Sequence, residues 1–139
     1  MPFGAAVRGC LSKYRIFTGR ASRSEFWWFC LFLWLAEAAL LLVVVLLVVG
    51  LFLMLRDDQP LFTVILINGL NWLTVSTNVV FVLLLVAVAV RRLHDIGRSG
   101  WWLLIAPVPL GVLVLIFWWA QPSAKDVNTY GPLPLPLQG

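Results

Sequence analysis

The residues best suited to chemistry lie in one short polar run, residues 91–100, between two long apolar blocks. This run holds the only histidine of the chain, His94, next to Asp95, and an imidazole beside a carboxylate can serve as a general acid or base. Neighbouring residues on a helix do not face each other, however, and the pair has no third catalytic member, metal-ligand set or phosphate-binding glycine loop nearby. We therefore predict a non-enzymatic protein with no catalytic residues, no metal site and no cofactor. A lipid-acting enzyme that uses His94 and Asp95 is the second alternative.

The arginines of this run and of the first 25 residues are more informative than the histidine. Guanidinium groups bind phosphate through paired hydrogen bonds, and tryptophans hold helices at the depth of the lipid headgroups. These residue types predict a rim that binds anionic lipid headgroups or a partner membrane protein. Its candidate members are Arg20, Arg23, Arg91, Arg92, Arg98, Trp101 and Trp102. The competing interpretation is structural, with the arginines setting the topology and with Glu25, His94 and Asp95 as candidates for pairing that locks the two basic segments together.

A second polar set lies inside the apolar blocks and consists of one carboxylate and three amides: Glu37, Asn68, Asn71 and Asn78. An ionisable residue within a membrane span is a functional candidate, and asparagine in hydrocarbon needs a hydrogen-bond partner. Because the asparagines share one helical face, we predict that this face meets the helix that carries Glu37. Helix packing is one interpretation. The other, and our first alternative function, is a small transporter or channel subunit that these residues line, which requires an oligomer.

The composition indicates an integral membrane protein. Of the 139 residues, 62% are hydrophobic and only 12% are charged, and the mean hydropathy is +0.97. A soluble domain has about 25% charged residues, and so short a chain has too little interior to hide this much apolar surface. The net charge of +4 comes from basic residues beside apolar spans, so we expect anionic lipid as the partner and no nucleic acid. A homo-oligomer is a further expectation.

The expected fold class is all-α: a polytopic integral membrane protein with three transmembrane helices and an N-terminal interfacial amphipathic segment. Each apolar block is long enough for a span, since about 20 residues suffice. The predicted divisions are a basic leader (1–25), a membrane domain (26–120) with spans at about 26–55, 61–90 and 101–120, an acidic turn at 56–60, a basic loop at 91–100, and a proline-rich tail (121–139). In the leader, apolar residues recur at helical spacing: Phe3, Val7, Cys10, Leu11, Tyr14 and Phe17.

Local signals place the helix ends. Ser22 and Glu25 fit a capping box, which predicts a helix from about residue 23. Pro60 is expected to open the second helix, Gly97 to adopt the positive φ of a chain reversal, and Ser99 to cap the helix that follows.

The third apolar block, residues 101–120, contains Pro107 and Pro109. We predict a single crossing about 30 Å long. Because proline removes a backbone donor and kinks a helix, a re-entrant hairpin is the alternative.

The distribution of basic residues predicts the orientation. The leader carries five Lys/Arg and the loop 91–100 carries three, whereas the acidic turn and the tail carry one each. Basic segments remain in the cytoplasm. We therefore predict a multi-pass protein with a cytoplasmic N-terminus and central loop, and with the C-terminal tail outside.

Three segments resemble the motifs of one family, the domain of unknown function 805 family, the YhaH-like small bacterial inner-membrane proteins. They are residues 19–28 (GRASRSEFWW), residues 91–102 (RRLHDIGRSGWW) and residues 128–132 (NTYGP). The chain departs from the usual family pattern at three positions: Ile96, Thr129 and Leu133. The resemblance implies a location in the bacterial inner (plasma) membrane. It implies no activity and no catalytic residues, because the family is itself uncharacterised.

Overall fold

The computed structural model describes residues 1–55, 60–124, 126–132 and 134. Its helices are α1 (Phe3–Ser12), α2 (Arg23–Leu55), α3 (Pro60–Asp95), a 3₁₀ helix (Gly100–Ile105) and α4 (Gly111–Ala120). The predicted all-α class is confirmed. The predicted acidic turn lies outside the described residues except for Pro60, and so do residues 125, 133 and 135–139 of the predicted tail.

Helices α2 and α3 are long and apolar enough to cross a membrane. They contain 33 and 36 residues, so each is about 50 Å long, against a hydrocarbon core of about 30 Å. Large apolar side chains along both helices are exposed, for example Leu53 (70%) and Leu61 (73%). A soluble protein rarely exposes a continuous apolar surface of this size, so the surrounding solvent is lipid.

The start of α2 follows the predicted cap only in part. The Ser22 hydroxyl accepts the Glu25 N–H at 3.2 Å, and the helix begins at Arg23 as expected. The Glu25 carboxylate does not complete the capping box; instead it accepts a hydrogen bond from Arg91. The sequence therefore predicted the helix boundary correctly and the second hydrogen bond of the box incorrectly.

The end of α3 is a Schellman motif. Gly97 has φ +74°, its N–H donates to the His94 carbonyl at 3.0 Å, and the Arg98 N–H donates to the Leu93 carbonyl at 2.9 Å. The predicted chain reversal at Gly97 is thus confirmed. Ser99 then caps the 3₁₀ helix by accepting the Trp101 N–H at 3.4 Å.

The prediction of one continuous helix over residues 101–120 is wrong. The segment forms the 3₁₀ helix, a break that contains Pro107 and Pro109, and then the ten-residue α4. Leu110 has φ +65°, and a Cβ on Gly111 would lie 1.8 Å from the Ile105 carbonyl oxygen. The physical reason is that the prolines prevent helix continuation, and the chain then turns back so tightly that only glycine fits.

Both ends of this segment return to the same place. The Trp102 and Trp118 rings meet edge to face at 5.2 Å, and Arg23 Nη1, at the start of α2, donates to the Ala120 carbonyl at 3.3 Å. Residues 100–120 therefore form a hairpin, as in the alternative that the sequence offered to a single continuous span. This return brings together residues 20–25, 91–99 and 118–124, which we call the basic face.

The contacts of the tail do not support the prediction that it lies across the membrane from the central loop. The Ala124 N–H donates to the Asp95 carbonyl at 3.2 Å, and Asn128 Nδ2 donates to the His94 carbonyl at 2.8 Å. The orientation was predicted from the number of basic residues in each segment, which cannot detect such hydrogen bonds. The prediction also required residues 101–120 to cross the membrane once. Tail and loop are in contact because the hairpin brings the chain back.

The chain divides into two compact units. The first consists of Met1–Leu31 and Leu83–Gly139, and the second of Phe32–Val82. The first contains the basic face and a core that α1 helps to form, with Ala6 and Cys10 buried. Helix α1 confirms the helical leader as far as Ser12, but Tyr14 and Phe17 lie beyond it and are exposed. In the second unit, α2 and α3 lie antiparallel.

Candidate functional site

The basic face is built on five buried charged side chains, which we call the arginine cluster: Arg20, Glu25, Arg91, Arg92 and Asp95. Asp95 is its centre, with a fully buried side chain. Arg20 Nε donates to Asp95 Oδ1 at 2.9 Å, and Arg92 Nη1 donates to Asp95 Oδ2, so each carboxylate oxygen has its own guanidinium. Because residue 20 precedes α2 and residue 95 ends α3, this arrangement ties the two helices together.

A second ion pair lies beside the first. Arg91 Nη1 donates to Glu25 Oε1 at 3.0 Å, and the same carboxylate oxygen lies 3.6 Å from the Cys10 sulfur. Arg91 Nη2 lies 3.9 Å from that sulfur. The pair therefore extends the cluster to helix α1.

Backbone carbonyls of the tail complete the cluster. Arg20 donates to the carbonyls of Ala124 (2.6 Å) and Asp126 (2.8 Å). Arg92 donates to the carbonyls of Trp119 (3.1 Å) and Gln121. Three guanidinium groups thus meet only two carboxylates, and neutral carbonyls supply further acceptors to Arg20 and Arg92, whereas the buried Arg91 Nε has no hydrogen-bond partner among the described residues. Burying so many charges is favourable only with this degree of hydrogen bonding.

Burial inactivates the neighbouring thiol. The pKa of Cys10 is raised to about 12, chiefly by burial and further by the Glu25 carboxylate, whereas the Arg91 guanidinium acts in the opposite direction. A thiol with this pKa is protonated at physiological pH and is a poor nucleophile.

His94 and Asp95 do not form an acid–base pair. His94 Nδ1 lies 3.3 Å from the Gly19 carbonyl oxygen, and its ring stacks on Tyr130 at 4.0 Å and 3°. The Asp95 carboxylate is occupied by the two guanidinium groups. His94 therefore helps to fasten the tail, together with Asn128, whose side chain donates to the His94 carbonyl and accepts the Tyr130 N–H at 2.9 Å.

The remaining rim candidates are accessible. Arg23 is exposed, and the Arg98 guanidinium carbon lies 3.9 Å from the centre of the Trp118 ring, a cation–π contact. Trp101 is 79% exposed and Trp102 is 45% exposed. The structure therefore separates the predicted set of arginines into three that are buried in ion pairs and two that are not, with Arg23 exposed and Arg98 half-buried.

The intramembrane candidates lie in the second unit and are only partly brought together. Asn78 Nδ2 donates to Glu37 Oε1 at 2.7 Å and also to the Thr74 carbonyl at 3.0 Å. Asn68 instead donates to the Val64 carbonyl of its own helix at 2.8 Å, and Asn71 is exposed. One of the three asparagines thus reaches the glutamate.

Sequence reasoning did not identify Asn128, Tyr130 and Trp118 as site residues. A signal for the first two was present, since both belong to the NTYGP segment. A single crossing of residues 101–120 would place Trp118 at the opposite interface. Its position beside Arg98 follows only from the hairpin.

Comparison with known proteins identifies similar inner-membrane proteins. Residues 14–132 match the family described as "Protein of unknown function (DUF805)". The chain is 32% identical over 125 residues to "Inner membrane protein YhaH" of Escherichia coli (strain K12), covering 89% of this chain and 91% of the relative. It is 33% identical over 122 residues to "Inner membrane protein YhaI" of the same organism, covering 87% of each. No solved structure matches. With most of its length matched in both comparisons, the chain belongs to the DUF805 family.

Proposed function

We propose that this protein is a non-enzymatic component of the bacterial inner membrane in which Arg23, Arg98 and the neighbouring exposed tryptophans bind anionic phospholipid headgroups. The names of its relatives and its two long apolar helices support the location. The observation that carries the binding role is the division of the arginines. Arg20, Arg91 and Arg92 are buried in ion pairs, whereas Arg23 is exposed, Arg98 is half-buried, and neither has a carboxylate partner among the described residues; both lie beside tryptophans.

The proposed topology has two crossings, α2 and α3, and a hairpin at residues 100–120 that enters and leaves on the basic face. The excess of Lys/Arg in the leader and central loop assigns this face to the cytoplasm. The tail then lies in the cytoplasm as well.

Cysteine labelling tests this topology. Ile16→Cys and Val127→Cys, each in a background without Cys10 and Cys30, place single thiols at exposed positions of the leader and the tail. A membrane-impermeant maleimide should label neither in intact spheroplasts and both after lysis. Labelling of the tail position from outside would refute the two-crossing arrangement.

Lipid binding is tested by thermal unfolding in a neutral detergent with added anionic or zwitterionic lipid. A ligand that binds only the folded state stabilises it, by about 2.7 kcal/mol at a hundredfold excess over Kd. We expect anionic lipid to raise the Tm in a salt-sensitive manner, and Arg23→Gln/Arg98→Gln to lose most of this effect. The control is Arg8→Gln/Arg15→Gln, which removes the same charge from exposed leader positions. Equal responses to both lipids, or equal losses in both double variants, would refute the proposal.

The alternative of a transporter or channel subunit depends on the Glu37–Asn78 hydrogen bond. It predicts that Glu37→Gln abolishes a solute or proton flux in proteoliposomes without loss of folding. We favour the lipid-binding role, because Asn68 and Asn71 do not join Glu37 in a continuous polar path. We also propose no catalytic role for His94 and Asp95, because the Asp95 carboxylate is bonded to two arginines and His94 Nδ1 lies against the Gly19 carbonyl oxygen.

A further inference from the structure

A groove of about 610 Å³ opens beside the first two turns of α2. Its lining comprises Arg23, Ser24, Trp27, Trp28, Leu31 and Ala120. This volume falls within the usual range for small-molecule sites, about 300–1,000 Å³.

The polar end of the groove is suited to an anion. Arg23 has five N–H donors, and one of its nitrogens donates to the Ala120 carbonyl at 3.3 Å, which holds the side chain over the groove. Among the residues that the structure describes, no carboxylate lines the groove. Arg23 and Ser24 also belong to the first turn of α2, where the helix dipole favours negative charge.

The apolar wall is held in place by neighbouring rings. Phe3 of α1 packs edge to face against Trp28 with ring centres 5.7 Å apart, and Phe26 packs against Trp27 at 5.2 Å. Phe26 is itself fixed by Trp119 of α4, at 4.9 Å. Because these rings are fixed before a ligand arrives, binding orders few side chains, which favours affinity.

The groove is therefore amphipathic along the helix axis. Leu31 lies eight residues after Arg23, about 12 Å along α2, so the cationic end and the apolar end are separated by roughly the distance from a lipid phosphate to its upper acyl chain. Tryptophan side chains favour this boundary between headgroup and hydrocarbon.

We infer that this groove binds one anionic phospholipid, with its phosphate on the Arg23 guanidinium and the first part of an acyl chain along Trp28 and Leu31. This inference rests on the proposed function. It adds one specific binding site to the general attraction between the rim and anionic lipid. A free phosphate could satisfy Arg23 but would leave the apolar wall uncovered, so the lipid is the better occupant.

Native mass spectrometry of the full chain with phosphatidylglycerol tests the inference. Wild type should retain one phosphatidylglycerol in preference to phosphatidylcholine, and inorganic phosphate should not compete. Arg23→Gln should weaken binding about tenfold or more, the effect of losing charge-assisted hydrogen bonds. Arg8→Gln, at an exposed leader position outside the groove, should keep the single tight site, and Arg98→Gln should weaken binding less than Arg23→Gln does.

A second pair of variants tests the apolar wall without changing charge. Leu31→Trp fills the groove and should also weaken binding, whereas Leu35→Trp, at another exposed leucine of α2 that does not line it, should not. If Leu31→Trp binds like wild type, or if Arg23→Gln and Arg98→Gln lose equal affinity, the groove is not the site, although the rim proposal stands. If wild type shows no preference for the anionic lipid, both proposals fail. Circular dichroism confirms folding of each variant.

Discussion

Replacing Asp95 with asparagine tests whether the arginine cluster holds the basic face together. Asp95 is fully buried and is the shared acceptor of Arg20 and Arg92. An asparagine of the same size offers one acceptor oxygen and turns its NH₂ group toward a guanidinium. The variant therefore leaves three buried cations with Glu25 as the remaining carboxylate of the cluster.

The expected loss of unfolding free energy depends on the contacts that Arg20 and Arg92 keep in the variant. Removing one partner of a buried ion pair costs about 3–5 kcal/mol of unfolding free energy. Arg20 keeps its carbonyl acceptors at Ala124 and Asp126, and Arg92 keeps the carbonyls of Trp119 and Gln121, so we take the lower end, about 3 kcal/mol. For a chain of this length, that loss corresponds to a decrease in Tm of about 10 °C.

The assay is thermal unfolding of purified protein in neutral detergent, followed by circular dichroism. The matched control is Asp126→Asn, the same chemical change at an exposed tail residue that contributes its carbonyl to the cluster. We expect the control to unfold within about 0.5 kcal/mol of wild type. If Asp95→Asn is no less stable than Asp126→Asn, the cluster does not stabilise the fold and the reasoning is refuted.

Three further predictions concern other parts of the structure. In a Cys30→Ala background, Cys10 should resist iodoacetamide at pH 8.5 until the protein is denatured, because its pKa of about 12 keeps it protonated; equal rates before and after denaturation would contradict this. Its linked contribution to stability is present below about pH 9 and is lost as the pH rises toward 12. Gly111→Ala should lower the Tm markedly, since the new Cβ meets a backbone carbonyl, whereas Gly69→Ala, with open space around it, should not; similar melts would refute the tight turn. Tyr130→Ala should release the tail to limited proteolysis by removing about 1 kcal/mol of ring stacking, and Tyr130→Phe should protect it like wild type.

Features encoded locally could be predicted from the sequence. The Ser22 cap, the positive φ of Gly97 and the two long apolar helices each depend on residues within a few positions of one another. Hydrophobicity alone was misleading for residues 101–120, because an apolar hairpin and an apolar crossing have the same composition. There, Pro107 and Pro109 were the decisive signal.

The division of the arginines could not be predicted in the same way. Arg20 and Arg23 have the same side chain and neighbouring positions, yet one is buried and the other is exposed. The difference arises because Arg20 pairs with Asp95 and is covered by two carbonyl groups of the tail, which reach it only because the hairpin returns to the basic face, whereas Arg23 has a single carbonyl partner, that of Ala120. Backbone acceptors carry no side-chain signature, so a reading of residue types cannot detect them.

The long sequence separation within the cluster has a consequence for biogenesis. Arg20 leaves the ribosome 75 residues before Asp95 and 106 residues before Asp126. While the first helix inserts, its charge is unneutralised and can act as a cytoplasmic retention signal. Only after the tail has been synthesised can the same charge be withdrawn into the interior. In the proposed topology, one arginine thus acts at two different times, first as a topology signal during insertion and then as the partner of buried acceptors in the folded protein.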